Sequence, residues 1–209
     1  MVKLQGADTY GWEAAIHGMR NPMNSWDKSD SHFVETVPPT KTHFIIGDED
    51  LKLMKKLVKA GSDHRKFMRF ITVYTNITAP LYWWKEFDTY KVGTVANSCS
   101  TMHKIHTKEF TLDDFSHEHL NDTSLAVLTG VIRLLNRCRE KYLTTHDKSW
   151  WWQLIQLLPS SYHQKRTVML NYEVLRNIYH ARKNHKLDEW HVFCAWIQTL
   201  PHSELITEE

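Results

Sequence analysis

The sequence is poor in cysteine, glycine and proline, with 3 Cys, 7 Gly and 6 Pro among 209 residues. So little glycine and proline excludes a collagen-like or low-complexity chain, and the length predicts one globular domain covering 1–209. The three cysteines are an odd number without close spacing, so no disulfide framework is expected. Apolar runs long enough to span a bilayer and an N-terminal signal pattern are also missing, which predicts a cytoplasmic protein without a membrane partner.

An excess of charge of one sign is missing as well. The chain has 26 Lys and Arg against 24 Asp and Glu, a net charge of +2. Binding to duplex nucleic acid needs a broad positive field, so a ligand with one phosphate is the better expectation. The sequence contains no Gly-x-Ser-x-Gly elbow, P-loop or Gly-x-Gly-x-x-Gly motif, which argues against the hydrolase, nucleotide-triphosphatase and dinucleotide-binding classes that carry them.

Tryptophan and histidine are abundant, at 9 and 14 residues. Tryptophans are consecutive at Trp83-Trp84 and at 150–152, and neighbouring residues of a helix face different directions. At least one member of each group is therefore expected to reach an interface or a ligand, with core or subunit packing as the alternative. On a helix, the spacing of His103 and His106 would place both on one face, but no Cys or carboxylate cluster completes a set of four ligands, so no metal site is expected.

The periodicity of the apolar residues predicts an α+β protein, with helices packed on a small, mostly antiparallel sheet. Helices are predicted over 12–19, 48–60, 81–90, 123–142, 148–157, 172–184 and 187–199. Strands are predicted over 67–78 and 165–170, and a loop over 20–42, which contains Pro38-Pro39.

Capping residues support several of these boundaries. Asp48 is a predicted N-cap and Gly61 a predicted C-cap of the helix between them. The spacing of Thr111 and Asp114 resembles a capping box with Asp in place of Glu. Asn171 is positioned to cap the helix that follows the second strand.

Two segments of the chain, roughly 48–104 and 155–198, resemble the flavin-dependent thymidylate synthase superfamily. In the first, a helix and Gly lead into a strand, then Ala79-Pro80, and the family signature Arg-His-Arg, seven residues, Ser falls on Thr89-Tyr90-Lys91 and Cys99. In the second, Leu158-Pro159 precedes a strand and then three residues with the family's spacing, and Glu189-Trp190 stands near its Gln-Trp. These three residues are Asn171, Asn177 and Arg182.

The chain also departs from the family pattern. Thr-Tyr-Lys stands in place of Arg-His-Arg, and Cys99 replaces the Ser. Thr101 occupies the place of an Arg that contacts the nucleotide phosphate, and Ile155 the place of the Arg before Leu-Pro. Thr cannot supply the charge and fork geometry of a guanidinium, so other cations stand in or the ligand has changed. Candidates are Arg65, Lys66, Arg69, Lys165 and Arg166, with solvated surface charge as the alternative.

Cys99 has three interpretations. A thiolate is a good nucleophile and could add to C6 of a pyrimidine, activating C5 toward an electrophile. The polar run around Cys99 also suits a phosphate loop, in which backbone N–H groups and the hydroxyls of Ser98, Ser100 and Thr101 bind the substrate. The third interpretation is a small buried thiol.

The resemblance implies an enzyme that transfers a methyl or hydroxymethyl group to C5 of a deoxypyrimidine monophosphate, such as dUMP. It implies methylenetetrahydrofolate as carbon donor, FAD as hydride source, NADPH to reduce the flavin, and a homotetramer. The residue implied to contact the base is Arg182. The residues implied to contact the flavin are Arg65, Tyr90, Lys91, Asn171 and Asn177. The lost Arg-His-Arg motif leaves two alternatives: a phage-type base-modifying enzyme that works without flavin reduction, or a non-catalytic nucleotide-binding or scaffolding relative.

Overall fold

The structure, a computed structural model, describes residues 1–35 and 42–209. It contains an α+β fold with a small antiparallel sheet, which confirms the predicted fold class. The helices of the described ranges are α1 (Trp12–Arg20), α2 (Asp48–Lys59), α3 (Leu81–Phe87), α4 (Asp122–Thr145), α5 (Lys148–Leu157), α6 (Tyr172–Arg182), α7 (Asp188–Ile197) and α8 (Glu204–Thr207). None of them is long and apolar enough to cross a lipid bilayer.

The strands form a four-stranded sheet and a two-stranded hairpin. They are β1 (Lys3–Tyr10), β2 (His32–Glu35), β3 (Thr42–Ile45), β4 (Thr72–Pro80), β5 (Val95–Ser98) and β6 (His163–Asn171). The order in the larger sheet is β1-β4-β6-β5, and β2 pairs antiparallel with β3, with Phe33 opposite Phe44. Strand β4 buries Val73, Thr75 and Ile77 in alternation, the period of two that a half-buried strand requires.

The chain groups into two compact units. The first unit comprises Met1–Gln5, Asn76–Thr89 and Ala96–Thr167, and the second comprises Gly6–Thr75, Tyr90–Val95 and Val168–Glu209. In the first unit α4 packs on α5, and Leu128, Ile132 and Leu135 of α4 are buried. In the second unit α6 packs against α7 and α8. The single domain expected over 1–209 stays a prediction.

Most predicted helices are confirmed with small changes at their ends, but two segments differ. The predicted strand over 67–78 begins later, because Arg65–Arg69 form a 3₁₀ helix and the strand runs over Thr72–Pro80. The prediction of a loop over 20–42 is wrong for part of this range. Asn21–Met23 and Trp26–Lys28 form 3₁₀ turns, and His32–Glu35 form strand β2. Pro38-Pro39 lie outside the described residues. Strands β1 and β5 and helix α8 had no signal in the sequence.

The N-terminus of α2 is capped from a distant part of the chain. Gly47, not Asp48, is the N-cap residue, and as a glycine it has no side chain that could cap the helix. The Asp30 carboxylate accepts hydrogen bonds from the amides of Glu49 (2.9 Å) and Asp50 (3.1 Å). The hydrogen bond from Glu49 lowers the pKa of Asp30 against the opposing effect of burial. A Cβ at Gly47 would lie 2.1 Å from the Asp30 carboxyl carbon, so a larger residue there would displace the capping carboxylate.

A buried ion pair joins α1 to α2 within the second unit. Arg20 Nε donates to Asp50 Oδ1 at 2.6 Å, and both side chains are at most 5% exposed. The other Asp50 oxygen accepts from the hydroxyls of Ser29 (2.6 Å) and Ser31 (2.7 Å). Arg20 also donates to the carbonyl oxygens of Ser25 and Lys28. Both charges are therefore paired and make further hydrogen bonds, the condition under which a buried pair is stable.

The tryptophan pair of α3 packs in the core, which is the alternative interpretation of these residues. Trp83 and Trp84 are both buried, at 0% and 1% exposure, so neither member of this pair reaches the surface. They pack with Phe87 in one aromatic cluster of the first unit. Among the tryptophans of α5, Trp152 is 45% exposed.

Candidate functional site

Cys99 lies at the surface of the first unit, in the wall of a cavity of about 310 Å³. Its exposure argues against the buried-thiol interpretation. The side chains around it supply a phenol, cations and carboxylates, and the lining residues are Cys99, Ser100, Lys104, Ile105, Thr107, Lys108, Glu109, Phe110, Asp114 and Tyr162. A volume of this size is at the lower end of small-ligand sites.

The loop after β5 forms a closed turn. The Ser100 hydroxyl oxygen accepts from the backbone amides of Met102 (3.2 Å) and His103 (2.9 Å). These amides are the groups that a phosphate loop would offer to its ligand, so they are engaged within the turn. Ser98 is exposed at the end of β5 and Thr101 is half-buried, and neither lines the cavity.

Of the two lysines that line the cavity, Lys108 forms an ion pair and Lys104 does not, among the described residues. Lys108 Nζ donates to Asp114 at 2.9 Å. Burial would raise the pKa of Asp114, but hydrogen bonds from Lys108 and Thr111 outweigh it and lower the pKa. Within the described ranges Lys104 has no ion pair, so its ammonium is available to an anionic ligand. Burial, with the nearby Asp114 and Cys99, raises the pKa of Tyr162, so its hydroxyl stays protonated at neutral pH and can donate.

The backbone of Cys99 is held on both sides by β6. Its amide donates to the Lys165 carbonyl at 2.9 Å, and its carbonyl accepts from the Gln164 side chain at 2.8 Å. The other end of the Gln164 carboxamide accepts from Arg166 Nε at 3.0 Å. Arg166 is in turn paired with Asp88 at 2.7 Å. Arg166 is therefore occupied in orienting this loop, and the sequence indicated only its charge.

Arg166 also lies over an aromatic ring. Its guanidinium carbon is 4.1 Å from the centre of the Trp84 ring, and the Trp84 indole N–H donates to the Gln164 carbonyl at 2.9 Å. Stacked guanidinium groups on indole are among the stronger cation–π contacts. This arrangement makes Gln164 a buried junction, at 8% exposure, between the core and the Cys99 loop.

In the second unit the structure brings Tyr90 and Arg182 together. Arg182 Nε donates to the Tyr90 hydroxyl at 2.9 Å, although the two residues are 92 positions apart. The guanidinium carbon lies 4.9 Å from the ring centre of Trp190. Trp190 belongs to the Glu189-Trp190 pair of the resemblance. The role of Arg182 toward a pyrimidine base stays a prediction.

Arg65 is already paired. Its Nε donates to both oxygens of Glu173, at 3.0 and 3.2 Å, and the two side chains are 18% and 10% exposed. A half-buried, neutralised guanidinium is a poor contact for the diphosphate of FAD. Lys66 and Arg69 are exposed and have no ion pair within the described part of the chain. They are three residues apart on a 3₁₀ helix, so their side chains share one edge.

Asn171 caps α6, as the sequence predicted. Its Oδ1 accepts from the Val174 amide at 2.9 Å, and the side chain is 8% exposed. Its Nδ2 faces the backbone of Gly93, where an added Cβ would lie 2.7 Å away, and the φ of Gly93 is +77°. Asn171 is thus held by contacts within the chain, whereas Asn177 and Lys91 are exposed.

Replacement of Asn171 by alanine is expected to lower the free energy of unfolding by about 1 kcal/mol, because the N-cap of α6 is lost. Asn171→Asp keeps the capping oxygen and is the matched control, expected to stay close to the parent protein. Chemical denaturation followed by circular dichroism measures both. Equal stability of Asn171→Ala and the parent would contradict a capping role.

The structure gives no support to a metal centre. Over residues 1–35 and 42–209, no three His, Cys, Asp or Glu side chains are grouped so that they could hold a metal ion. His103 is exposed and His106 is half-buried.

Comparisons with known proteins show which fold this is. No protein-family model matches the sequence, and no curated protein does. Two crystal structures of the flavin-dependent thymidylate synthase ThyX from Helicobacter pylori, with FAD and dUMP, are similar at 16% identity. Their TM-scores are 0.69 and 0.71, and the matches cover 97% and 99% of this chain and 98% and 97% of theirs. The UMP/dUMP methylase PolB from Streptomyces cacaoi, bound with 5-Br dUMP, is similar at 12% identity and a TM-score of 0.60, covering 98% of this chain and 94% of its own. The chain therefore has the fold of the flavin-dependent thymidylate synthases over 97–99% of its length.

Proposed function

We propose that this protein binds a deoxypyrimidine monophosphate, of the dUMP type, and transfers a one-carbon unit to C5 of the base. Methylenetetrahydrofolate is the proposed carbon donor. The observation that carries the proposal is the exposed Cys99 thiol in a cavity that Lys104 and Tyr162 also line, in a fold whose solved examples include complexes with dUMP and 5-Br dUMP.

Cys99 is the proposed nucleophile. Its thiolate adds to C6 of the base, forming an S–C6 bond and moving the C5=C6 electron pair into the C5=C4–O4 enolate. C5 then takes a proton from water or bonds to the one-carbon unit. Loss of the original C5 hydrogen as a proton and expulsion of the thiolate restore the double bond. The Tyr162 hydroxyl can donate to a carbonyl oxygen that carries this charge.

Lys104 is the proposed phosphate contact. It lines the same cavity as Cys99 and has no ion pair among the described residues. An ammonium group binds phosphate as a point charge, without the bidentate geometry of the arginines that the family uses. Lys104 thus supplies part of the positive charge that the family's arginines provide at the positions of Thr101 and Ile155.

FAD is the proposed cofactor, and the exposed cations of the second unit fit its diphosphate. Lys66 and Arg69, together with Lys91, would hold the phosphates, and the exposed Asn177 would contact the ring system. This assignment replaces Arg65, which Glu173 neutralises, and Asn171, which caps α6. When bound, FAD supplies the hydride that reduces the transferred carbon to a methyl group, with NADPH as its reductant. Absorbance of flavin that stays with the protein after gel filtration tests this assignment.

The contacts of Arg65 with Glu173 and of Asn171 with Val174 favour a second candidate function. Three of the five residues expected to contact flavin make contacts within the chain, namely Arg65, Tyr90 and Asn171. A non-catalytic nucleotide-binding or scaffolding relative would allow this. Binding of dUMP without exchange of its C5 hydrogen would support this second function. Assembly into a homotetramer stays a prediction, which light scattering on the purified protein can check.

Replacement of Lys104 by alanine is expected to weaken dUMP binding about tenfold, since one charge contact to phosphate is worth roughly 1.4 kcal/mol. Isothermal titration measures the affinity. The affinity for deoxyuridine, which lacks the phosphate, should be the same in both proteins. Lys141→Ala removes an exposed lysine of α4 outside the cavity and is the matched control. Absence of dUMP binding to the parent protein, or equal effects of the two substitutions, would contradict the proposal.

A further inference from the structure

A second cavity, of about 200 Å³, lies between α1 and the β2–β3 hairpin of the second unit. Aromatic rings make up much of its wall. His17 and Trp26 are stacked with ring centres 5.8 Å apart, and Phe33 and Phe44 meet edge to face at 4.9 Å. Trp26 and Phe33 are 44% and 53% exposed, so their faces are open to a ligand.

The polar groups of this wall are mostly engaged. Arg20 donates to Asp50 and to two carbonyl oxygens, so its charge is balanced. The hydroxyls of Ser29 and Ser31 donate to Asp50. The exposed Glu13 carboxylate lines the cavity and has no ion pair within residues 1–35 and 42–209. Glu13 therefore leaves the carboxylate and guanidinium groups of the wall with one unbalanced negative charge.

We propose that this cavity binds an organic cation, an alkylated ammonium group carried by a small molecule. Electron-rich ring faces attract such a cation, and a carboxylate at the rim adds charge complementarity. The volume is below that of common drug-sized sites, which suits a single ammonium head group. The proposal is independent of the nucleotide function, because none of its residues belongs to the Cys99 cavity.

Choline is the probe, and calorimetric titration at mildly alkaline pH measures its affinity. We expect saturable binding at one site with a Kd in the millimolar range, on the order of what a few exposed cation–π contacts provide. Dimethylbutanol, in which carbon replaces the nitrogen of choline, has the same shape without charge. It should bind at least about tenfold more weakly.

Two substitutions test the residues that carry the proposal. Glu13→Gln and Phe33→Leu each replace an exposed side chain, and each is expected to weaken choline binding about fivefold or more. Asp27→Asn removes an exposed carboxylate next to Trp26 that does not line the cavity, and it should leave the affinity unchanged. Absence of saturable choline binding, equal binding of dimethylbutanol, or equal effects of Glu13→Gln and Asp27→Asn would each overturn the proposal.

Discussion

Replacement of Cys99 by serine is expected to reduce the release of tritium from C5 of dUMP by about 1000-fold or more. The substitution keeps the shape of the side chain, but a serine hydroxyl is a far weaker nucleophile than a thiolate at neutral pH. Addition to C6 precedes exchange at C5, so the rate of tritium release reports this step directly. The assay is run with labelled dUMP, with and without methylenetetrahydrofolate.

The matched control is Cys138→Ala. It removes a thiol from the same unit, but this thiol is buried in α4 at 1% exposure, and burial raises its pKa. Tritium release by Cys138→Ala should stay near that of the parent protein wherever the variant is folded. Affinity for dUMP should be similar in Cys99→Ser and the parent. Unchanged tritium release in Cys99→Ser would remove the thiol from the mechanism.

Asp50→Asn is expected to lower the free energy of unfolding by about 3–5 kcal/mol. The substitution leaves the Arg20 guanidinium buried without a counter-charge, and the amide nitrogen of Asn cannot accept the hydrogen bonds that Ser29, Ser31 or Arg20 now donate. Urea denaturation followed by circular dichroism measures the loss. The control is Asp63→Asn, which changes the net charge equally at an exposed position. A loss below about 0.5 kcal/mol would contradict the importance of the pair.

The same substitution should change the response to acid. Burial alone would raise the pKa of Asp50, but the hydrogen bonds from Ser29, Ser31 and Arg20 outweigh it and lower the pKa. A carboxyl whose pKa is lower in the folded state stabilises the fold above its unfolded pKa of about 3.9. That contribution is lost as the pH falls through the folded pKa. Asp50→Asn lacks this group, so its stability should decline less steeply below about pH 4.

Features that depend on neighbouring residues were predictable from the sequence. The capping box of Thr111 and Asp114 forms with both of its hydrogen bonds, because its partners are three residues apart. Asn171 caps α6 for the same reason. Helix α5 matches its predicted range, since a period of 3.6 residues is a local property.

Features that depend on distant residues were not predictable. The prediction that Asp48 is the cap of α2 failed, because Asp30 supplies the cap. The pairing of Arg65 with Glu173 spans 108 positions, so the sequence indicated a free cation where the structure has a neutral pair. Strand β5 is exposed along its length and therefore lacks the apolar alternation that identifies a strand.

The candidate site was partly predictable for the same physical reason. The family resemblance indicated the segment around Cys99 and, elsewhere in the chain, Tyr90 and Arg182, and the roles of these residues stay predictions. The exposure of Cys99 and the proximity of Tyr162 depend on how the chain folds back, which periodicity does not encode. Gln164 gave no signal in the sequence, because the two hydrogen bonds of its side chain, with Cys99 and Arg166, are visible only in three dimensions.

The capping of α2 by Asp30 has a consequence for the order in which the second unit can form. A twelve-residue helix is marginal by itself in water, and this one has no capping side chain within its own segment. Its first turn is completed only when the segment around Asp30 has closed onto it. Early in folding, α2 is thus expected to fray from its N-terminal end. Its formation should coincide with the docking of the segment around Asp30.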